Sequence, residues 1–227
     1  MKQIPLGVRL HDRTVFASFV AGDNSVALAA VQRTANGTGE RCAFLHGPAG
    51  SGKSHLLQAL CAAVPGSAYF PLAQLLASGP EVLEGADQLA AVALDDLHLV
   101  AANADWERRL FNLYHECDAR GTRLVVAARK PANESGVALP DLRSRLASMP
   151  HFALHPLDEA QQRAALQLRA AQRGLELPDE TVRYLQRRYA RDMSSMQALL
   201  DKLDAASMEE QRRLTVPFIR RITGAPP

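Results

Sequence analysis

The chain has few of the residues that mark secreted or metal-binding proteins. Only three of its 227 residues are cysteines, Cys42, Cys61 and Cys117, and no two of them form a Cys-x-x-Cys pair. An odd number of widely spaced cysteines predicts reduced, buried thiols rather than a disulfide framework. The seven histidines show no metal-ligand spacing, so we expect no zinc site.

Long apolar runs are also missing. No run approaches the ~18 residues that a membrane span needs, and residues 1–10 contain no apolar stretch of signal-peptide length. We therefore expect a cytoplasmic protein with no membrane association. An apolar fraction of 47% and a charged fraction of 22% are ordinary for a globular protein, and the length suits one large domain with a small lid.

The net charge of +2 is unevenly distributed along the chain. Residues 1–119 carry 8 basic and 12 acidic residues, whereas residues 120–227 carry 18 basic and 12 acidic residues. The basic half could face phosphates or an acidic partner. A solvated arginine-rich surface explains the same counts, and on charge alone we prefer it.

Hydrophobic patterning divides the chain in two. Short apolar strands alternate with helices up to residue 156, which predicts parallel βαβ units and a sheet covered on both faces. The strands are expected at 42–46, 67–70, 89–94, 123–128 and 152–154. Three helices without strands follow, at 158–173, 179–190 and 194–206. The predicted organisation is an N-terminal tail over 1–15, an α/β domain over 16–156 and an all-helical lid domain over 157–227.

A phosphate-binding loop follows the first strand. The segment matches G-x-x-x-x-G-K-[ST] completely, and its residues are Gly47, Pro48, Ala49, Gly50, Ser51, Gly52, Lys53 and Ser54. In such a loop the backbone N–H groups point at phosphate oxygens, the lysine reaches the β- and γ-phosphates, and the serine hydroxyl helps to hold Mg²⁺. A glycine-rich turn without a ligand is the alternative, but a strand before the loop and a helix after it favour nucleotide binding.

Two carboxylates end the strand predicted at 89–94. Asp95 and Asp96 should lie at the carboxyl edge of the sheet, beside the phosphate loop. There Asp95 could bind the magnesium shell, and Asp96 could orient or deprotonate a water that attacks the γ-phosphate. A helix N-cap or a solvated turn is the alternative for this pair.

The motifs together resemble a known family. Four segments are similar to the AAA+ module of the bacterial replication initiator DnaA, namely 19–24, 52–57, 94–97 and 139–146. Within these DnaA-related proteins the chain resembles the Hda family of regulatory inactivators, which residues 166–178 and 213–218 also fit. The resemblance covers essentially the whole chain and implies an AAA+ parallel sheet flanked by helices, followed by a helical lid.

This resemblance implies which residues meet the nucleotide, ADP or ATP with Mg²⁺. Phe19, Val20 and Asn24 would form the adenine pocket, although simple core packing competes as an explanation for Phe19 and Val20. His55, next to the loop, is counted with the cofactor-binding residues, and a structural role is its alternative.

The resemblance also implies an arginine that acts on a partner. AAA+ subunits pack so that an arginine of one subunit enters the nucleotide site of its neighbour. Arg145 matches that arginine, so we expect it to stabilise phosphoryl transfer from ATP bound to the initiator DnaA. Arg143 is a competing candidate, and an ordinary salt bridge is the alternative role for Arg145. Packing of two copies of this chain is a further assembly that the resemblance allows.

The N-terminal tail is similar to a peptide that binds the DNA polymerase sliding clamp. Gln3 would supply an amide for a polar subsite, and Ile4, Leu6 and Val8 would supply apolar anchors for a groove. The bare pattern is unspecific and depends on the resemblance of the rest. No residues follow the lid for a DNA-reading domain, so we expect contact with DNA only through the clamp.

Two departures from the family weaken the case for ATP turnover by the chain itself. Ser194 stands where the lid usually carries an arginine near the phosphates, and Arg129 and Lys130 stand where the family has Asp-Arg. We therefore expect a nucleotide-bound negative regulator of replication initiation that promotes ATP hydrolysis by its partner. A self-contained P-loop ATPase and a DnaA-like initiation or helicase-loading factor are the alternatives.

Overall fold

The computed structural model of the chain describes residues 14–172, 174–188 and 219–221. It divides into two compact units, with the boundary between Pro156 and Leu157. In the part of the chain that is described, no helix is long and apolar enough to cross a membrane.

The first unit is built on a five-stranded sheet. The strands are β1 (Cys42–His46), β2 (Ala68–Pro71), β3 (Ala91–Asp95), β4 (Arg123–Ala128) and β5 (His151–Ala153). They lie in the order β2-β3-β4-β1-β5, and every neighbouring pair is parallel. The parallel sheet predicted from the alternating pattern is therefore confirmed. Since β4 lies between β1 and β3, residues that follow these three strands meet at one edge.

Helices cover both faces of this sheet. They are α1 (Ser25–Asn36), α2 (Lys53–Ala63), the single turn α3 (Leu72–Leu75), α4 (Ala104–Arg120) and α5 (Pro140–Ser148). On one face the fully buried Phe44 and Val126 pack with residues of α4 and α5, while on the other Leu45 and Val125 pack with residues of α1 and α2. Consecutive strand residues thus pack against the helices on opposite faces of the sheet, which explains why the strands are apolar throughout.

The helix α5 does not appear among the elements predicted from the sequence. It begins at Pro140, whose fixed φ suits the first helical position. Leu142 and Leu146, four residues apart, are buried on its inner side, which is the spacing of an amphipathic helix. The helix carries Arg143 and Arg145, so its position matters for the function.

The second unit is described over α6 (Glu159–Gln172) and α7 (Asp179–Arg188). Leu166 of α6 and Val182 and Leu185 of α7 are buried, as the helical spacing of the α7 pair predicts. Gln186 Nε2 donates to the carbonyl oxygen of Glu159 at 2.8 Å. The third predicted lid helix, at 194–206, lies outside the described residues.

Candidate nucleotide-binding site

The phosphate loop runs from the end of β1 to the start of α2 and is tightly packed. A Cβ atom on Gly52, whose φ is 96°, would come within 2.7 Å of the Phe19 ring. A Cβ on Gly47 would collide with the carbonyl oxygen of Leu154. Glycine is therefore needed at both positions because neighbouring groups approach the backbone closely.

Lys53 is turned inward over the loop. Its side chain is buried, and Nζ donates to the carbonyl oxygens of Gly47 at 2.7 Å and Pro48 at 2.8 Å, with Ser51 Oγ at 3.4 Å. Burial lowers the pKa of Lys53, while the Asp95 and Asp96 carboxylates oppose that shift. The ammonium group thus lies inside the loop on oxygen acceptors that phosphate oxygens could replace.

The first turn of α2 carries two polar side chains, Ser54 and His55. Ser54 is exposed, and its side chain hydrogen-bonds to Tyr69. His55 Nε2 lies 3.0 Å from Ser18 Oγ and 3.0 Å from the carbonyl oxygen of Val15, and its ring contacts Phe19 edge-on at 5.3 Å. His55 therefore fastens residues 15–19 to α2.

Asp95 ends β3 and is almost fully buried, with 2% of its surface exposed. Its Oδ2 accepts a hydrogen bond from the Tyr69 hydroxyl at 2.7 Å, and its Oδ1 accepts from the Asp96 backbone N–H at 2.9 Å. Burial and the Asp95 charge raise the pKa of Tyr69, so the phenol stays a donor. Tyr69 is not among the residues predicted from the sequence, because an aromatic residue in an apolar strand gives no sign of its hydroxyl partner.

Asp96 adopts a left-handed backbone conformation with φ of 58°. Burial, and after it the neighbouring Asp95, raises the pKa of Asp96. His98 Nδ1 lies 4.0 Å from Asp96 Oδ1, and neither ring nitrogen of His98 has a hydrogen-bond partner in the described part of the chain. Burial lowers the pKa of His98. His98 therefore lies next to the two carboxylates. Its position in the sequence alone did not indicate this.

Arg129 follows β4 at the edge of the sheet, between the phosphate loop and the paired aspartates. In the sheet register Ala128, which precedes it, pairs with His46, the residue before Gly47. On the other side β4 pairs with β3, whose last residue is Asp95. Arg129 is exposed, and a cation therefore stands where the family resemblance calls for an acidic group.

The residues expected to hold the adenine differ in how far their side chains are already bound within the fold. Phe19 and Val20 are half-buried, and Phe19 packs on Gly52. Asn24 is buried and its amide makes two hydrogen bonds to the backbone of His155, one donated at 2.9 Å and one accepted at 2.7 Å. Asn24 thus joins the segment before α1 to the segment after β5.

The two candidate arginines lie on α5, which covers the sheet face opposite α2. Both are exposed. Arg143 Nη1 donates to the carbonyl oxygen of Val137 at 3.3 Å, whereas the Arg145 guanidinium makes no hydrogen bond or ion pair with any residue in the described ranges. The proposed clamp-binding residues, Gln3, Ile4, Leu6 and Val8, lie outside the described residues, and so does Ser194.

Two protein-family models match different parts of the chain. The model of the Hda lid domain matches residues 158–223, and the model of the bacterial DnaA ATPase domain matches residues 10–69. The second match includes the phosphate loop, and the first covers the helices of the second unit.

Solved structures show the same architecture. Domain III of the replication initiation protein DnaA from Thermotoga maritima has a TM-score of 0.75 at 20% identity, over 93% of this chain and 95% of that one. AMPPCP-bound DnaA from Aquifex aeolicus has a TM-score of 0.64 at 18% identity, over 85% and 66%. The Thermotoga maritima RuvB Holliday junction branch migration motor has a TM-score of 0.55 at 15% identity, over 89% and 67%. At these identities the likeness shows the AAA+ fold, as predicted.

Proposed function

Because the chain is a Hda-like, DnaA-related AAA+ protein, we propose that it is a nucleotide-bound adaptor that restrains chromosomal replication initiation. In this role it binds the DNA polymerase sliding clamp and the initiator DnaA, and it stimulates ATP hydrolysis by the initiator. The proposal joins a nucleotide site, an arginine for the partner and a clamp-binding peptide.

The described residues fit an adenine nucleotide with Mg²⁺. The buried Lys53 ammonium lies in the loop, and Ser54 and Asp95 provide the oxygen ligands that Mg²⁺ prefers. Phe19 presents apolar surface beside Gly52 for the base, and the half-buried Val20 follows it in the chain. Bound Mg²⁺ would neutralise charge on the phosphates. The solved Aquifex aeolicus DnaA is itself described as AMPPCP-bound, which supports the same ligand class here.

The observation that carries the proposal is the state of Arg145. Its guanidinium is exposed, has no partner in the described ranges and sits on the sheet face opposite α2. An exposed guanidinium without an intramolecular partner is available to a neighbouring subunit, and an arginine delivered in trans can raise a phosphoryl-transfer rate by ~10³–10⁵. Arg143 is less suited, since Val137 already accepts a hydrogen bond from it.

The test is ATP hydrolysis by the initiator in the presence of clamp loaded on DNA, with wild-type chain or Arg145→Ala. Loss of the transition-state charge should reduce stimulation by about 100-fold or more. Arg143→Ala is the matched control on the same helix and should retain stimulation. Full stimulation by Arg145→Ala would show that this residue does not act on the partner's ATP.

A second candidate function is ATP turnover by the chain alone. Lys53, Asp95 and Asp96 converge at one edge of the sheet, which favours it. The residues before Arg129 are the apolar Ala127 and Ala128, so β4 supplies no neutral polar group to a γ-phosphate. Steady ATP hydrolysis by the isolated protein, lost in Asp96→Asn, would decide for this candidate.

A further inference from the structure

A buried carboxylate on α4 joins two loops that the nucleotide site and α5 depend on. Glu107 has 2% of its surface exposed. Its Oε1 accepts hydrogen bonds from the backbone N–H groups of Ala102 and Ala138, both at 2.8 Å, and its Oε2 accepts from the N–H of Leu139 at 2.7 Å. Three backbone donors thus share one carboxylate, and hydrogen bonds to a carboxylate are stronger than those between neutral groups.

One of these loops follows the paired aspartates. A 3₁₀ turn over Leu97–Leu99 leads from Asp96 to Ala102, which has a positive φ of 62°. A residue with a Cβ is disfavoured in that conformation and needs outside support. Glu107 supplies the support through the Ala102 N–H, so the course of this loop is set from α4.

The other loop begins α5. Leu139 is the residue that caps the N-terminus of this helix, and Pro140 in the first helical position has no N–H to donate. No side chain within the helix caps this end. The Glu107 carboxylate therefore satisfies the donors of Ala138 and Leu139, and its charge lies at the favourable end of the helix dipole.

We infer that Glu107 is the positioning residue for Arg145, because it fixes the start of α5 against the loop that follows the paired aspartates. The inference rests on the proposed function, in which Arg145 acts on the partner's ATP. A helix of nine residues held at its first turn moves as a body when that turn shifts, and displacements of about 1 Å at a reacting centre can cost 100-fold in rate.

The test is Glu107→Gln, which keeps the size of the side chain but places an amide NH₂ against backbone donors. We expect faster hydrogen exchange at the amides of Ala102, Ala138 and Leu139, measured by NMR or mass spectrometry. Initiator ATP hydrolysis stimulated by this variant should fall by roughly 10- to 100-fold.

Two controls separate positioning from general damage. Glu116→Gln removes a carboxylate from the same helix, where Glu116 forms a partly buried pair with Arg109, and it should leave stimulation unchanged. In an Arg145→Ala background, Glu107→Gln should cause no further loss, because the group that it positions is already absent.

The outcomes distinguish this inference from the proposed function. Full stimulation by Glu107→Gln, with the three amides exposed to exchange, would overturn the positioning role and leave the adaptor in place. A further loss of stimulation in the Arg145→Ala background would also overturn it. No stimulation by the wild-type chain would overturn the proposed function itself, and the role of Glu107 with it.

Discussion

At the scale of single residues, burial rather than charge count sets the chemistry of the site. Lys53 keeps its ammonium inside the loop because the carbonyl oxygens of Gly47 and Pro48 accept from it. Tyr69 keeps its proton and donates to Asp95. The loop and the aspartates could be predicted from the sequence because a complete G-x-x-x-x-G-K-[ST] motif, followed by an apolar strand that ends in two carboxylates, is typical of P-loop nucleotide sites. The tyrosine was not, because its role arises only when β2 pairs with β3.

The histidines near the site give the protein a pH-dependent stability. Burial lowers the pKa of His98 below 6.5, with Arg129 and Lys53 adding to the effect and Asp96 and Asp95 opposing it. Burial also lowers the pKa of His46, helped by His151. Each imidazole therefore takes up a proton more readily in the unfolded chain than in the native one.

The free energy of unfolding should consequently fall as the pH drops below about 6.5, the ordinary value for histidine. Well above that pH both histidines are neutral in the folded and in the unfolded chain, so they no longer make the free energy of unfolding depend on pH. His98→Gln should reduce the loss of stability between pH 7.5 and pH 5.5, measured by urea unfolding at each pH. An unchanged slope in His98→Gln would contradict this prediction.

At the scale of elements, alternating apolar strands made the sheet predictable, whereas α5 was not predicted. The strands carry a repeated pattern that only a sheet covered on both faces requires. The helix α5 has just two buried leucines in nine residues, Leu142 and Leu146. Its start depends on Glu107, an acceptor 32 positions from Leu139. Long-range support of this kind leaves no local signal in the sequence.

Asn24 provides a second long-range connection between elements. Its amide pairs with both backbone groups of His155, 131 positions away. Asn24→Ala should remove two partly buried hydrogen bonds and lower the free energy of unfolding by roughly 1–3 kcal/mol. Asn112→Ala, at an exposed position of α4, should change it by less than about 0.5 kcal/mol. Equal effects of the two substitutions in chemical denaturation would show that the Asn24 pairing adds no stability.

At the scale of the whole molecule, the proposed function is that of an adaptor that brings an arginine to a partner kept close by the clamp. The family models fall on both units, with the DnaA ATPase domain matching residues 10–69 and the Hda lid domain matching residues 158–223. The proposed clamp contact, the hexapeptide Gln3 to Val8, precedes the described residues. A tethered partner meets its target at a raised effective concentration, so clamp binding should increase stimulation without changing the chemistry at Arg145.

The most direct measurement of the adaptor claim is initiator ATP hydrolysis with and without clamp on DNA, at a low concentration of the chain. We expect clamp-dependent stimulation by the wild type, and only the clamp-free rate with Gln3→Ala and Leu6→Ala combined. We also expect wild-type behaviour for Arg9→Ala, next to the hexapeptide in sequence, and a return of stimulation by the double variant at high concentration. Equal stimulation with and without clamp, or full stimulation by the double variant at low concentration, would contradict the claim.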